Sequence, residues 1–416
     1  MKDEKKAPKL RFKGFTDDWE QCKLGTLFDF KNGLNKGKEF FGSGVPIVNY
    51  MDINKNVIIN ADMVKGRVKL NEDEIERFAV KDNDLFFTRT SETSEEIGFT
   101  AAITYAAKNT VFSGFILRAR PILKLNSEFY AYYLRTMHKR NDIIRHSSIT
   151  TRALTSGSLL STMTVSYPAI GEQNRISYIL RKIDSTITLH EKKERQLERL
   201  KSALLQKMFA DKSGYPAVRF KGFDDIWNQE KLNSLVRLHR GLIYSPNNVQ
   251  DSGIRVLRSS NILDGKFVMT DDDIFVKSSV VNIPTVKNGD ILITAANGSI
   301  KLVGKHAIIS GISENTAVSG GFMLVGSSRI PNFVNSLFGT SWYQRFIRKY
   351  VTGGNGSIGN LKKNDFDKQY VMVPTTSEQE RIGEFLKKID QLIINNQIKH
   401  EKLLELKKSL LQNMFI

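Results

Sequence analysis

Residues 168–209 read PAIGEQNRISYILRKIDSTITLHEKKERQLERLKSALLQKMF, and residues 374–415 read PTTSEQERIGEFLKKIDQLIINNQIKHEKLLELKKSLLQNMF. The two stretches align without a gap at a constant shift of 206 positions, so that Glu172 corresponds to Glu378. Pro168 suits a helix entry, because its ring fixes φ and the first helical turn does not need its missing N–H. A repeat of this length without a gap indicates a long helix whose length is held fixed.

Apolar residues recur at three-and-four spacing in both stretches, which is typical of a helix that packs along one face. The predicted seam positions are Ile183, His190, Leu197, Leu200, Leu204, Ile389, Asn396, Leu403, Leu406 and Leu410. His190 and Asn396 interrupt the seam at matching places, and a polar seam residue specifies register at a cost in stability. His190 is interpreted as a seam residue and not as a metal ligand, because no second ligand stands nearby. Two matched helices most simply form a coiled coil, whose direction the periodicity leaves open.

Composition narrows the class of protein. The chain has 416 residues, which argues for two or three domains, and a formal charge of +18, which favours a polyanionic partner. Cys22 is the only cysteine, so neither a disulfide framework nor a cysteine metal cluster is expected. No apolar run reaches the roughly 18 residues that span a bilayer. We therefore expect a cytoplasmic protein without a membrane partner.

A second repeat marks where the globular parts begin. Arg-Phe-Lys-Gly-Phe leads to Trp19 in the first half and, 208 positions later, to Trp227. Beyond this entry, residues 80–88 align with 286–294, and both read as a strand entered by a turn. The predicted organisation is listed here in chain order: a disordered tail (1–10), a globular domain (11–167), a spacer helix (168–210), a second globular domain (211–373) and a second spacer helix (374–416).

Signatures of catalysis are missing from the sequence. The run around Asn355 formally contains GxGxxG, but that motif binds nucleotides only directly after a strand, and here it follows a predicted helix. The run suits close approach of backbone N–H groups to phosphates instead. The histidines are scattered, and the adjacent acids Asp271, Asp272 and Asp273 read as a solvated turn and not as a cation site. We predict no catalytic residue, no metal site and no cofactor in this chain.

Binding chemistry remains, in loops whose side chains can contact phosphates and base edges. The candidates in the first half are Lys31, Asn32, Lys36, Lys38, Arg89, Thr90, Ser91, Thr150 and Arg152. Those in the second half are Arg240, Tyr244, Arg258, Ser260, Asn261, Asn297, Ser299, Lys301, Asn355 and Ser357. The helices have kept their sequence while the globules have diverged, which indicates one frame that carries two different readers.

The arrangement resembles the DNA-specificity subunit of Type I restriction–modification enzymes over almost the whole chain. The most specific features are the two Pro-x-x-x-Glu-Gln-x-x-Ile segments at 168–176 and 374–382, each opening a helix that closes with Leu-Leu-Gln-x-Met-Phe. The resemblance implies an α+β fold: two mixed α/β target-recognition domains separated by an antiparallel coiled coil of the repeated helices, with an internal pseudo-two-fold duplication.

The resemblance also implies a function. Each domain would read one half of a bipartite site in double-stranded DNA, and the coil would set the gap and dock the modification subunits. Two modification subunits would methylate adenine with S-adenosylmethionine, and two restriction (motor) subunits would cleave unmodified DNA with ATP and Mg. This chain itself would be a non-catalytic subunit of that complex.

Two other classes of function fit the sequence less well. A non-catalytic coiled-coil scaffold with basic RNA-binding or protein-binding domains fits the charge, but preserved helices beside diverged globules speak against it. RNA readers would also show exposed aromatic stacking platforms. A stand-alone nuclease or methyltransferase would require an acidic metal site or a cofactor motif, and the sequence shows neither.

Overall fold

A computed structural model describes residues 7–149, 152–351 and 359–416. The chain divides into two compact units: unit 1 is Met1–Glu191 with Ile398–Ile416, and unit 2 is Lys192–Gln397. Two helices supply segments to both units, the first long helix, Ile170–Lys207, and the second long helix, Thr376–Asn413. Each has 38 residues and is about 57 Å long at about 1.5 Å per residue.

Unit 1 is built on a five-stranded sheet in the order Phe28–Asn32, Ile116–Pro121, Leu85–Thr88, Thr100–Tyr105 and Ile58–Asn60. The last pair is parallel and the others are antiparallel. Three smaller sheets comprise Arg67–Val68 with Phe41–Val48 and Val111–Phe112; Glu20–Lys23 with Thr164–Tyr167; and Ser148–Ile149 with Ala153–Leu154 and Thr90–Ser91. The short helices are Tyr50–Lys55, Glu72–Arg77, Ser127–Tyr133, Met137–Arg145 and Gly157–Ser161.

Unit 2 repeats this plan with a four-stranded antiparallel sheet in the order Arg237–Arg240, Met323–Ser327, Ile291–Thr294 and His306–Ile308. A second sheet orders Val249–Gln250, Ile274–Val276, Ile254–Leu257 and Ala317–Ser319. Three two-stranded sheets pair Asn228–Lys231 with Tyr370–Val373, Ile262–Leu263 with Lys266–Phe267, and Ala296–Asn297 with Gly359–Asn360. The short helices are Leu232–Leu235, Pro331–Phe338, Ser341–Tyr350 and Lys363–Asp367.

The predicted turn before the central strand is confirmed in both units. Asn83 and Gly289 lie at its tip with φ of 65° and 96°, a region that asparagine and glycine tolerate best. The carboxylate of Asp84 accepts a hydrogen bond from the N–H of Lys81 at 2.7 Å, and Asp290 closes the second turn in the same way. The Asx-type bond thus explains why an acid follows the tip in each copy.

The repeated Glu-Gln pair fastens each long helix to the start of its own unit. The carboxylate of Glu172 accepts two hydrogen bonds from the Arg11 guanidinium, at 2.8 and 2.6 Å, and Glu378 accepts the same pair from Arg219. The neighbouring Gln173 donates from its amide to the carbonyl of Pro168 at 2.8 Å. Both acids are buried, and a bidentate guanidinium supplies their charge partner. In each unit these hydrogen bonds therefore connect the entry repeat to the helix repeat.

Each unit takes core residues from both long helices. In unit 1, Ile176 and Leu180 of the first long helix share a buried cluster with Met414 and Phe415 at the end of the second. In unit 2, the corresponding cluster contains Met208 together with Ile382, Leu386, Ile389 and Ile393. Trp19 is buried in the first cluster and Trp227 in the second. The two tryptophans of the entry repeat are therefore core residues.

The two helices run antiparallel in each unit. In unit 1, Asp184 pairs with Lys407 at 2.6 Å and Glu191 lies 3.5 Å from His400. In unit 2, Lys201 pairs with Asp390 at 2.5 Å, and Gln397 donates to Glu194 at 2.5 Å. In each unit the two residue numbers of every pair add up to 591, as an antiparallel register requires. The predicted α+β fold with an antiparallel coiled coil and internal duplication is confirmed.

The predicted seam needs one correction. Every seventh position lies where the sequence placed it, and Ile183, Ile389 and Asn396 are buried. Leu200 and Leu406, however, are 48% and 46% exposed. The seam positions predicted three residues after Leu197 and Leu403 were therefore wrong. The structure buries residues four positions after Ile183 and Ile389 and not three, namely Ile187 and Ile393. The remaining predicted positions, His190, Leu197, Leu204, Leu403 and Leu410, are half-buried.

Candidate nucleic-acid interface

Four chain segments meet at one place in each unit and form what we call the recognition frame. In unit 1 the frame comprises residues 33–36, 88–91, 112–116 and 153–155. Four backbone hydrogen bonds connect it and its neighbour Val48, donor first: Leu34 to Phe112 (2.9 Å), Ser113 to Val48 (3.0 Å), Arg89 to Phe115 (2.9 Å) and Thr155 to Arg89 (3.0 Å). Because main-chain atoms make these bonds, exposed side chains of the frame can differ without breaking them.

Unit 2 forms the same frame from residues 241–244, 294–297, 319–323 and 359–361. The corresponding hydrogen bonds, donor first, are Leu242 to Ser319 (2.7 Å), Gly320 to Leu257 (2.8 Å), Ala295 to Phe322 (2.9 Å) and Leu361 to Ala295 (2.8 Å). A Cβ on Gly33 or Gly241 would collide with the carbonyl oxygen of Ser113 or Gly320. A glycine is therefore required at this crossing in both units.

A matching turn follows each frame. In unit 1 the N–H of Asn49 donates to the carboxylate of Asp52 at 2.8 Å, which caps the helix Tyr50–Lys55. In unit 2 the N–H of Arg258 donates to the side-chain oxygen of Asn261 at 2.7 Å. The two capping boxes show that the equivalence of the units extends beyond the frame itself.

Side chains at equivalent places differ in chemistry. The pairs, with the unit 1 residue first, are Asn35 and Ile243, Lys36 and Tyr244, Asn49 and Arg258, Met51 and Ser260, Arg89 and Ala295, and Ser91 and Asn297. From unit 1 to unit 2, an amide side chain is replaced by an aliphatic one, a cation by a phenol and a thioether by a hydroxyl group. One backbone therefore presents two unlike sets of hydrogen-bonding groups.

Most predicted residues of unit 1 lie in or beside the frame. Arg89 directly precedes the strand Thr90–Ser91, which pairs with Ala153–Leu154 next to Arg152. Arg152 is exposed, whereas Ser91 is buried and accepts a hydrogen bond from the N–H of Thr93. Ser91 thus supports the loop instead of facing solvent. Thr150 lies outside the described residues.

The predicted lysines of unit 1 differ in their surroundings. Lys36 pairs with Glu74 at 2.7 Å and lies 4.4 Å from the centre of the Phe40 ring. The ammonium group of Lys31 donates to the carbonyl of Arg77 at 2.5 Å, and burial together with nearby arginines lowers the pKa of Lys31. Lys38, like Asn32, is exposed. Lys38 and Asn32 are therefore accessible to a ligand, whereas Lys31 and Lys36 already have partners.

A cleft of about 920 Å³ lies at the frame of unit 2. Four predicted residues line it: Tyr244, Arg258, Ser260 and Asn297. The amide of Asn297 donates to the Ser259 hydroxyl at 3.1 Å, which orients the side chain at the cleft wall. Arg240, Ser299 and Lys301 are exposed and do not line the cleft. Asn355 and Ser357 lie outside the described residues.

Asn261 corrects the prediction for this unit. The sequence placed it among the base readers, but it is fully buried, and its amide donates to the carbonyl of Val268 at 3.0 Å and to Asp273 at 2.7 Å. Its oxygen accepts the capping bond from Arg258. Every polar atom of the Asn261 side chain is thus used inside the protein, and none is left for a ligand.

Asp273 was predicted to lie in a solvated turn, but it is buried and forms the centre of a small network behind the cleft. Burial acts to raise the pKa of Asp273, but hydrogen bonds from Asn261, Thr270 and Arg255 outweigh burial and hold that pKa below its ordinary value. The neighbouring Asp272 lies at the cleft, where its carboxylate and carbonyl accept hydrogen bonds from Arg258. The cleft therefore has a charged, pre-ordered wall on one side.

Sequence reasoning missed the apolar residues of the frame. Phe115 and Phe322 are 62% and 64% exposed, and Ile243 beside the cleft is 90% exposed. The predicted candidates carry cationic, amide or hydroxyl groups, whereas the phenylalanines stand in runs that read as buried strands. No signal in the sequence distinguishes these exposed rings from buried ones.

Neither a metal site nor a membrane-spanning helix is seen in the part of the chain that the structure describes. Over residues 7–149, 152–351 and 359–416, no group of three or more His, Cys, Asp or Glu side chains is arranged to hold a metal ion. Within the same ranges, none of the helices combines the length and the apolar character that crossing a bilayer demands.

Comparison with known proteins agrees with this geometry. The family profile described as "Type I restriction modification DNA specificity domain" matches residues 16–199 and again residues 224–406. The specificity subunit of the Type I restriction enzyme StySPI from Salmonella potsdam is 28% identical over 177 residues, which are 40% of this chain and 36% of that protein. The chain thus matches about a third of the length of that relative.

Two further proteins are similar over nearly their full length. The MjaVIII specificity subunit of Methanocaldococcus jannaschii is 20% identical over 411 residues, covering 95% of this chain and 91% of that one. The crystal structure of the S subunit from M. genitalium shares the fold with a TM-score of 0.59 at 15% identity and 99% coverage of both chains. With two copies of the family domain spanning most of its length, the chain belongs to the Type I restriction–modification DNA specificity family.

Proposed function

We propose that this chain is the DNA-specificity subunit of a Type I restriction–modification complex, in which unit 1 and unit 2 each read one half of a bipartite target. The two recognition frames carry this proposal, because they combine matched backbone hydrogen bonds with different side chains. A protein that binds one ligand twice would keep the side chains as well. A protein that reads two different half-sites must keep the backbone and change the side chains.

Charge supports a nucleic acid as the ligand. The net charge of +18 supplies the sequence-independent attraction to phosphates, and exposed cations such as Lys38, Arg152 and Arg240 lie in or near the frames. Arg258 and Asn297 at the unit 2 cleft carry the groups that pair with guanine and adenine edges in the major groove. Phosphate contacts would fix position, and the cleft residues would specify the base.

The long helices would set the gap between half-sites. Half-sites one duplex turn apart are about 34–36 Å from centre to centre, and each helix is about 57 Å long. The antiparallel register in each unit holds the seam to one alignment, as a ruler requires. The outer faces of these helices would dock two modification subunits, and two restriction subunits would join through the complex.

The chemistry of the complex would belong to those partners. The modification subunits would bind S-adenosylmethionine and methylate adenine, and the restriction subunits would use ATP and Mg. This chain would contribute no catalytic group and bind no cofactor. Its task would be to choose the sequence at which its partners act.

The test is to express the chain with its cognate modification subunit in a host that lacks restriction, and to map methylated adenines across the genome. We expect a single bipartite motif with a fixed gap. An exchange of residues 211–373 for the same region of another family member should change one half of the motif only. Absence of any bipartite motif from an assembled complex, or a change in both halves after the exchange, would contradict the proposal.

A further inference from the structure

Phe115 and Phe322 occupy the same place in the two recognition frames. Register establishes the equivalence, because Ile116 pairs with Thr88 in unit 1 and Met323 pairs with Thr294 in unit 2, one residue after each phenylalanine. Phe115 is 62% exposed and Phe322 is 64% exposed. Two rings of this size are therefore presented to solvent at corresponding points.

These rings depart from the chemistry of the other exposed side chains of the frame. Neighbouring positions exchange amide, cation, phenol and aliphatic groups between the units, whereas an aromatic ring is present here in both. Because the two units would read different bases, a feature that they share must serve a contact independent of sequence. The face of a base is such a contact, since every base has a π-face on which an aromatic side chain can stack.

The backbone around each ring is fixed before any ligand binds. The carbonyl of Phe115 accepts a hydrogen bond from the N–H of Arg89 at 2.9 Å. The carbonyl of Phe322 accepts two, from the N–H groups of Ala295 and Ala296, both at 2.9 Å. The side chains therefore project from a hydrogen-bonded turn directly before a strand, which lowers the entropy lost when they insert into a partner.

Phe322 also lies beside the groups that would read bases. It lines the unit 2 cleft with Ile243, whose side chain is 90% exposed, and with Arg258 and Asn297. An apolar tip flanked by base-reading groups is the arrangement by which minor-groove and architectural proteins pry open a base step. Here the tip would stand at the point where the duplex meets the frame.

We propose that Phe115 and Phe322 are wedge residues, each of which enters a base step at its half-site and packs against the face of a base. The proposal rests on the proposed function. Opening a step would lower the cost of extruding a nearby target base, a movement that enzymes acting on a base within a duplex require. The wedge would thus assist methylation by the partner subunit without selecting the base.

The test uses the full chain in complex with its modification subunit and the duplex found by methylation mapping. Phe115→Ala and Phe322→Ala should each weaken binding to that duplex about 5- to 150-fold, the range that loss of one aromatic stacking partner gives. The bases preferred in each half should stay the same. Phe322→Trp should restore most of the affinity, because a larger ring can still stack.

Matched controls separate a wedge from general loss of an exposed ring. Tyr105 ends a strand of unit 1 and is 62% exposed, and Tyr370 begins a strand of unit 2 and is 51% exposed. Both lie outside the frames, so Tyr105→Ala and Tyr370→Ala should leave DNA affinity unchanged. Equal losses in these controls would overturn the proposal. Weaker assembly of a phenylalanine variant with the modification subunit would also overturn it, because the ring would then be a protein contact.

A fluorescent base provides a direct readout. 2-Aminopurine placed at successive positions of each half-site should brighten at one step with the unsubstituted protein, because unstacking relieves its quenching. The brightening should vanish at the unit 2 half-site with Phe322→Ala and persist at the other half-site. If the unsubstituted complex binds a bipartite duplex and no position brightens, the wedge is refuted and the proposed function stands. If that complex binds no bipartite duplex, the proposed function fails first.

Discussion

Removal of one heptad from each long helix directly tests the proposal that these helices set the gap between the half-sites. Residues 183–189 face residues 402–408, because facing residues have numbers that add up to 591. A double deletion of these two heptads takes out Asp184 together with its partner Lys407 and leaves the remaining pairs matched. Seven residues are one full seam repeat, so the apolar stripe continues across the junction.

The expected change in the gap follows from helix geometry. Seven residues at about 1.5 Å each shorten the coil by about 10.5 Å. At about 3.4 Å per base pair this length corresponds to about three base pairs. Three base pairs also turn the half-sites by about 100° around the duplex, given about 10.5 base pairs per turn. We therefore expect a gap shorter by about three base pairs and a lower rate of methylation.

The single deletion of residues 183–189 should behave differently. Ile176 and Leu180, on the near side of the deletion, share a core cluster with Met414 and Phe415 of the other helix. Shortening one helix alone displaces these partners by about 10.5 Å, which no local adjustment of a packed core can absorb. We expect the single deletion to unfold unit 1, whereas the double deletion keeps it folded.

Methylation mapping measures the gap, and thermal unfolding monitored by circular dichroism measures the fold. An unchanged gap in a folded double-deletion variant would refute the ruler. Altered bases in either half-site would refute the separation between reading and spacing. A single-deletion variant as stable as the unsubstituted chain would refute the register on which the design depends.

Three further predictions concern single residues. Asn297→Ala should relax base preference by about 1–3 kcal/mol at one position in the unit 2 half-site only, measured on a library of single-base variants; a change in the other half would contradict it. Asp273→Asn should destabilise unit 2 by about 2 kcal/mol near neutral pH in urea unfolding. Because the folded-state pKa of Asp273 is lowered, this difference should be complete above its ordinary pKa of about 3.9 and vanish as the pH falls through the folded-state value; a constant difference down to that pH would contradict it. Ile187→Ala should cost about 2–4 kcal/mol and Leu200→Ala less than about 1 kcal/mol, and the reverse order would contradict the corrected seam.

The repeat made the overall architecture predictable, but only one of the two series of seam positions could be predicted. Ile183 and the positions seven residues apart from it were identified from periodicity alone. Positions three and four residues further on both fill a helix face, so periodicity cannot choose between Leu200 and Lys201. The facing helix decides, because Asp390 lies opposite Lys201 and their ion pair holds the lysine at the inner edge. Leu200 is then turned outward, although it is the more apolar of the two.

The frames could be predicted only in part, for a physical reason. Residues of the right chemistry were found in loops such as 89–91 and 258–260, but which loops meet depends on contacts distant in sequence. The crossing of Gly33 and Ser113 is one example, since 80 positions separate these residues. Exposure was the second obstacle, because the sequence does not distinguish an exposed phenylalanine in an apolar run from a buried one. The prediction for Asn261 was wrong for the opposite reason. Its side chain is suited to binding a base, but its polar atoms make hydrogen bonds to Arg258 and Asp273 inside the protein.

The main-chain construction of the frames bears on how new specificities arise. A loop held by N–H and carbonyl groups keeps its shape when an exposed side chain is exchanged, and such exchanges usually alter the free energy of unfolding by less than about 0.5 kcal/mol. An exposed position such as Ser260 can therefore change without a compensating change elsewhere. A library randomised at the cleft would consist mostly of folded proteins, so selection could act on the target sequence alone. The same property would let a new target sequence arise by small steps.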